Sequence, residues 1–296
     1  MAFASRTRYS EPAAGAPNNP APGPDARPMP EIDLQKAMRV ARRAAEAGAS
    51  ASLTYFRGCL TVERKADMTP VTQADRDSEE AIQSIVLGAY PEHGFLGEES
   101  GDHGGSSETR WIVDPLDGTK GFTRGRTFWG SLVALEHQGE IVAGAMSLPA
   151  LGETYWAARG QGAWMRAGTG RRGTEQPVQL RVSRIADWRA STLSFGEPHV
   201  LFRAPMLERL AALAVSSQSA RCYGDLAGAA LVLRGEAEAW VEAGVQIWDI
   251  APLRILAEEA GGRFTDLEGK TTHASGSCIL SNGLVHDHVV AALAGR

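Results

Sequence analysis

Apolar residues recur along this chain in two rhythms. Leu34, Ala37, Met38, Ala41, Ala44 and Ala45 fall three or four apart, the spacing that lines one face of a helix. A second helix is expected after Thr72, with Ala81, Ile82, Ile85, Val86 and Ala89 on one face. Asp75, Asp77, Glu79 and Glu80 crowd its first turns, where the helix dipole favours negative charge. From Trp111 the rhythm shortens. Residues 111–113, 131–135, 141–148 and 153–157 read as strands, with Gly139 marking a hairpin. Gly160-Gln-Gly162-Ala-Trp-Met165 lacks the third glycine of a dinucleotide fingerprint and reads as another hairpin turn. The polar, glycine-rich stretch 168–176 predicts a loop and an internal boundary.

In the second half strand and helix alternate. A strand is expected at 191–195, a helix at 205–215, and another running from a capping Asp225 to Leu233. Ala237, Ala239 and Val241 alternate with Glu238, Trp240 and Glu242, the mark of a half-buried strand. After Asp249 comes a helix with Leu253, Leu256, Ala257 and Ala260 inward, stopped by Gly261-Gly262. Mixed elements without an internal repeat predict an α+β protein of two packed subdomains. The division is expected as an N-terminal one over 31–180 and a C-terminal one over 181–296.

Composition adjusts this picture at one end. Seven of the 15 prolines lie in the first 30 residues, among Ala, Gly and Asn. Such a segment cannot bury enough apolar surface to offset its ordering entropy, so residues 1–30 predict a disordered tail. Cys59, Cys222 and Cys278 are odd in number and far apart. They fit neither a disulfide framework nor a zinc site. No apolar run approaches the roughly 18 residues of a membrane span, and no signal-peptide core is seen. Cytoplasmic location is the expectation. A net charge of −5 argues against general nucleic-acid binding.

Candidate chemistry concentrates at Trp111-Ile-Val-Asp114-Pro-Leu-Asp117-Gly-Thr119-Lys120. A strand runs into two carboxylates three apart, which can fix a hard cation such as Mg²⁺. Gly118 and Thr119 open a short helix whose amides can receive an anion. Gly97-Glu98-Glu99 follows a predicted buried strand, and Asp249 and Asp75 stand at helix starts. Read singly, each has a plain alternative. Asp114 and Asp117 make an Asp-Pro turn, Glu98-Glu99 a solvated turn, and Asp75, Asp225 and Asp249 helix-start acids. His286 and His288, with no metal-type partners in sequence, read as surface residues. Trp129, Trp156 and Trp164 read as core or subunit-contact aromatics.

Taken together, Gly97-Glu98-Glu99, Asp114-Pro-Leu-Asp117-Gly-Thr119 and Trp248-Asp249, in this order, resemble the lithium-sensitive, Mg²⁺-dependent inositol monophosphatase superfamily. The likeness runs from about residue 31 to the end. It implies a layered αβαβα sandwich, hydrolysis of a small phosphate monoester, two or three Mg²⁺ per site and a homodimer. It further implies Glu98, Asp114, Asp117, Asp249 and the Leu116 carbonyl as metal ligands. Thr119, with Asp75, would orient or activate the attacking water, helped by Glu98. The amides of Gly118 and Thr119 would hold the phosphate, and Glu242 would touch the substrate.

Within the superfamily the chain most resembles the histidinol-phosphate phosphatase branch. The likeness lies in segments 63–72 and 148–160, in Asp117-Gly-Thr-Lys120 and in Tyr223-Gly224-Asp225. Asp225 and Glu242 could then meet the amino group or imidazole of L-histidinol phosphate. Lys120 and Gly121-Phe-Thr-Arg124 are shared with bisphosphate nucleotidases, so an inositol 1-phosphate or 3′(2′),5′-bisphosphate specificity is carried beside it. A catalytically silent phosphate- or metal-binding regulator is the non-enzyme alternative. The charge balance also changes meaning. Arg6, Arg8 and Arg27 outnumber Glu11 and Asp25 by one, which leaves −6 on residues 31–296. With four carboxylates assigned to metal, part of that excess is a site for cations.

Overall fold

The computed structural model describes residues 32–58, 61–64, 70–104, 106–168, 176–203 and 205–295. The proline-rich tail, Cys59, the 65–69 stretch and most of the expected 168–176 loop lie outside the described residues.

The first rhythm becomes two helices. α1 (Leu34–Leu53) begins where the Asp33 side chain accepts from the Lys36 amide at 2.9 Å. α2 (Gln73–Ala89) begins with a capping box between Thr72 and Asp75. Both helices cover one face of an eight-stranded sheet. Its spatial order is Val178–Gln179, Ala163–Ala167, Glu153–Ala158, Glu140–Leu148, Gly130–His137, Ser106–Asp117, His93–Gly97 and Gly101–His103. Every neighbouring pair is antiparallel except His93–Gly97 with Ser106–Asp117.

The other face of that sheet, through Ile112, Leu132, Ala134, Met146 and Tyr155, shares a core with two further helices. After the short α3 (Thr119–Phe122), α4 (Pro198–Leu201) and the longer α5 (Met206–Ser216) come α6 (Asp225–Leu233) and α7 (Ile247–Glu259). α6 and α7 form the middle layer. Nearly every residue of α7 from Ile250 to Ala257 is buried, as a helix packed on both sides must be.

Beyond them lies a five-stranded sheet ordered Ser219–Arg221, Thr192–Phe195, Ala239–Ala243, Ser277–Ser281 and Arg263–Thr265. Alternation serves both of its faces. Trp240, Cys278 and Leu280 join the middle core, while Leu193, Val241 and Ile279 pack outward. The outward set meets α5 and α8 (His286–Ala294). The chain is therefore a layered αβαβα sandwich. All strands of the larger sheet precede residue 180 and all of the smaller follow residue 191. Residues Asp33–Arg296 form one compact unit. Among the described residues, no helix is long and apolar enough to cross a membrane.

One sequence expectation fails in the core. His286 is fully buried rather than exposed, with Nε2 2.9 Å from Thr265 Oγ1 and Nδ1 2.8 Å from Ser281 Oγ. Burial lowers its pKa to about 4, so it packs as a neutral residue. His288 is exposed, as expected. A larger buried network crosses the middle layer. Glu136 accepts from Arg110 Nε at 2.6 Å and meets His273 Nε2 at 2.9 Å. His273 Nδ1 accepts from Arg254 Nη1 at 3.2 Å, and Arg254 also donates to Glu140 and Glu258. The His273 bond, and then Arg110, hold Glu136 below the usual carboxylate range despite burial.

Candidate active site

The site begins with an irregularity in a strand. In a regular strand, residues three apart point to opposite faces. Between Asp114 and Asp117 the register slips: Asp114 pairs with Leu132, yet Asp117 pairs with Gly130. This extra residue is a bulge, and it re-aims the strand so that both carboxylates reach one place. Pro115 supplies no ladder N–H, and its carbonyl accepts instead from Ser78 and Ser131 hydroxyls at 2.7 Å each. The Leu116 amide donates to Asp114 Oδ1 at 2.9 Å. Gly118 then turns the chain into α3 with φ of +81°, and a Cβ there would lie 2.8 Å from the Phe128 carbonyl. Only glycine meets both demands cheaply.

The third carboxylate arrives from α7. Asp249 is not the cap of that helix, as its position in the sequence suggests. It is the third helical residue, and its Oδ2 accepts from the Gln246 amide at 2.7 Å in a capping box. Asp114, Asp117 and Asp249 each offer an oxygen within 4.8 Å of the other two. Their protein partners are the backbone amides of Leu116, Leu226 (3.2 Å from Asp117) and Gln246, and the Asp114 carboxyl also hydrogen-bonds the Asp249 carboxylate. Among the described residues, no Lys, Arg or His forms an ion pair with any of them.

Burial is the first cause that raises all three pKa values. Repulsion from Glu98 adds to each. Asp249 rises to about 6, and Asp114 and Asp117 stand well above the ordinary range. Three half- to fully buried carboxylates facing one another fit a hard divalent cation, which takes oxygen ligands and would remove the repulsion. The Glu98 carboxylate adds its charge from the turn after His93–Gly97 and lines the same cleft.

Thr119 and Asp75 stand together at the edge of this group. Thr119 Oγ1 lies 3.1 Å from Asp75 Oδ1 and 2.9 Å from the Leu116 carbonyl. Asp75 is 1% exposed, and its other oxygen accepts from both the amide and the hydroxyl of Thr72 at 2.7 Å. Burial raises its pKa even so. One contributor has no local sequence signal. Glu79, read only as a helix-dipole acid, accepts from the amides of Glu99 and Ser100 at 2.9 Å each and so braces the Glu98 turn.

A second acidic group adjoins the first. Glu242 is buried, and its Oε1 accepts from the amides of Glu197 (2.8 Å) and Ala243 (3.2 Å). It reaches this position because residue 196 is glycine: a Cβ there would fall 1.4 Å from Glu242 Oε2. Burial, and then Asp225, push Glu242 up to about 8. Asp225 does not cap α6, for Gly224 holds that position. Asp225 takes the first helical place with φ of +52°, strained for a side-chain-bearing residue, and stands open to the cleft. The crowded cleft walls, and then Glu197, raise its pKa. Asp117, Glu197, Asp225, Glu242 and Asp249 border a side chamber of about 120 Å³.

All of this opens into a cleft of about 1410 Å³ between the two halves of the chain. Glu98, Asp114, Leu116, Asp117, Gly118, Thr119, Asp225 and Asp249 line it, with basic Lys120, Arg124 and Arg126 toward the solvent. Lys120 Nζ lies 3.7 Å from Glu197 Oε2, both partly exposed. Of the residues assigned to the site from the sequence, Asp75 and Glu242 stand behind the cleft wall, Glu242 at the side chamber. Trp129 and Trp156 are buried, while Trp164 is only half-buried. Gly160 and Gly162 lie in a turn between paired antiparallel strands.

Comparison with known proteins agrees with this architecture. The model of the inositol monophosphatase family matches residues 33–295. A histidinol-phosphatase of Mycobacterium tuberculosis is 39% identical over 268 residues, 90% of this chain and 99% of that protein. An inositol-1-monophosphatase of Mesorhizobium japonicum is 36% identical over 76% of this chain and 80% of its own length. Among solved structures, the extragenic suppressor protein SuhB of Bartonella henselae superposes with a TM-score of 0.77 at 32% identity. That match covers 86% of this chain and 97% of the other. The chain belongs to the inositol monophosphatase family.

Proposed function

We propose that this member of the inositol monophosphatase family is a Mg²⁺-dependent phosphomonoesterase that converts L-histidinol phosphate to L-histidinol and phosphate, a step of histidine biosynthesis. The observation that carries the substrate reading is the second acidic group. Asp225 and Glu242 border a chamber beside the metal-type carboxylates, and burial first, then a neighbouring carboxylate, raises both pKa values. An ammonium or imidazolium on the leaving group would favour their charged forms. The histidinol-phosphatases among its relatives, alike over nearly their whole length, support the same reading.

Glu98, Asp114, Asp117, Asp249 and the Leu116 carbonyl would hold Mg²⁺, two or three ions by family likeness. Bound there, the ions would neutralise phosphate charge, lower the pKa of water and stabilise the leaving oxygen. The chain's own groups do the rest. The amides of Gly118 and Thr119 receive phosphate oxygens at the start of α3. Thr119 donates its proton to Asp75 and so turns a lone pair toward the attacking water. As that water attacks phosphorus in line, its proton passes to Thr119 Oγ1 and the threonine proton shifts to Asp75 Oδ1, while the bond from phosphorus to the leaving oxygen breaks and that oxygen takes a proton from solvent water. Asp225 and Glu242 hold the amino alcohol that departs.

One observation favours a second reading. Lys120, Arg124 and Arg126 at the cleft rim suit a second phosphate, as in a bisphosphate nucleotidase. Phosphate release from L-histidinol phosphate, inositol 1-phosphate and adenosine 3′,5′-bisphosphate, with Mg²⁺ and with or without Li⁺, decides. The proposal expects the first substrate to be preferred and Li⁺ to inhibit. A clear preference for either competitor overturns it, and binding without turnover would indicate a silent regulator. A cytoplasmic homodimer belongs to the same proposal, and light scattering tests the dimer.

A further inference from the structure

The cleft mouth carries two aromatic side chains that the fold leaves in water. Phe128 and Tyr223 are 42% and 41% exposed, and both line the cleft. They come from opposite halves of the chain yet touch, with ring centroids 6.2 Å apart and planes tilted by 57°. A lone exposed aromatic needs no explanation. Two in contact at the rim of a charged cleft offer flat apolar surface at a place where a leaving group must pass.

Both rings are held at fixed offsets from the chemistry. The Phe128 carbonyl passes so close over Gly118 that a Cβ there would sit 2.8 Å from it, so residue 128 is pinned to the turn proposed to hold phosphate. The Tyr223 backbone is tied twice to Ser194 Oγ, by its amide at 3.2 Å and its carbonyl at 2.8 Å. Two residues later comes Asp225. An aromatic face and a carboxylate on one short segment match a flat ring that also donates hydrogen bonds. Tilted aromatic pairs accept a third ring in offset or edge-to-face contact, and a protonated heterocycle gains from the ring quadrupoles.

We propose that Phe128 and Tyr223 form an aromatic seat that selects phosphate esters whose leaving group carries a flat unsaturated ring over aliphatic esters. For the imidazole of L-histidinol phosphate this rests on the substrate reading above. The seat itself is testable apart from it.

The test compares kcat/KM for L-histidinol phosphate, phenyl phosphate and glycerol 2-phosphate with Mg²⁺, in the parent enzyme and in Phe128→Ala, Tyr223→Ala, Phe128→Tyr and Tyr223→Phe. Each alanine variant should lower the ring-to-glycerol ratio by about fivefold, chiefly through KM. The aromatic replacements should restore the ratio, which loss of fold or of general activity would not produce. Ring-to-glycerol ratios that stay at the parent value in both alanine variants overturn the seat. Should the parent enzyme not prefer L-histidinol phosphate, the substrate reading falls alone. The phenyl phosphate ratio then still decides: a drop supports the seat and no change overturns it.

Discussion

Glu136 and Asp114 lie on neighbouring strands of the same sheet, 8% and 1% exposed, and their surroundings have opposite sign. Glu136 is met by His273 and Arg110, and its pKa is lowered. Asp114 is met by Glu98, Asp117 and Asp249, and its pKa is raised. Burial penalises both charges, Asp114 the more; the neighbours then lower Glu136 and add to the rise at Asp114. The Glu136 network is complete within the chain and joins the large sheet to α7 through Arg254. Among the described residues no cationic side chain pairs with Asp114, Asp117 or Asp249, so an ionised cluster there calls for a bound cation. Folding has placed like charges together there, and that arrangement fits a metal-dependent hydrolase.

The contrast can be broken at either end. Asp114→Asn should have the largest effect, lowering Mg²⁺-dependent kcat/KM by on the order of 10³-fold or more. Phosphate release under saturating Mg²⁺ checks it, and full activity would remove Asp114 from the site. Glu136→Ala should act on stability instead. It strands the buried His273 and half-buried Arg110 and should cost about 3 kcal/mol of unfolding free energy. Denaturant titration reads this, while activity per folded molecule should persist.

Next in size are Asp225→Asn and Glu242→Gln. Each should reduce the preference for L-histidinol phosphate over inositol 1-phosphate by about tenfold, the value of one charge-assisted hydrogen bond. Parallel kcat/KM measurements on the two substrates test this.

The pH dependence of stability differs in sign between the two regions. In metal-free protein the raised pKa values mean that the native triad holds protons the unfolded chain has released. Its contribution therefore grows as pH falls through about 6 toward the ordinary carboxylate range near 4, by about 1.4 kcal/mol per unit for each proton. Glu136 behaves oppositely. Its contribution is present above that range and is lost as pH falls below it. Denaturation in EDTA across this window should show stability rising toward acid, and saturating Mg²⁺ should reverse the slope.

Much of this was legible in the sequence because it is local. Asp114, Asp117, Gly118 and Thr119 sit within six residues, and a strand and a turn follow from that short run, while the bulge between the two carboxylates shows only in the strand register. What escaped depends on distant contacts. Glu79 reads as a dipole acid until the Glu99 amide, 20 residues away, is brought against it. His286 looks like surface until Thr265 and Ser281 close around it. Asp225 and Asp249 both read as helix caps, and each sits inside its helix because Gly224 and Gln246 take the capping positions. Burial of α7 on both sides was also hidden, since one inward face is all that periodicity predicts and the second comes from the other sheet.

Asp114, Asp117 and Asp249 would form a cation site, and among the described residues no cationic side chain pairs with them. Thermal melting of the parent protein and Asp114→Asn, in EDTA and in saturating Mg²⁺ at mildly alkaline pH, tests it most directly. In EDTA the variant should melt at or above the parent, because a repelling charge has been removed. Mg²⁺ should raise the parent's melting temperature by on the order of 5 °C and the variant's far less. A parent melting temperature indifferent to Mg²⁺, or a variant melting well below the parent in EDTA, would show that the three carboxylates hold no cation.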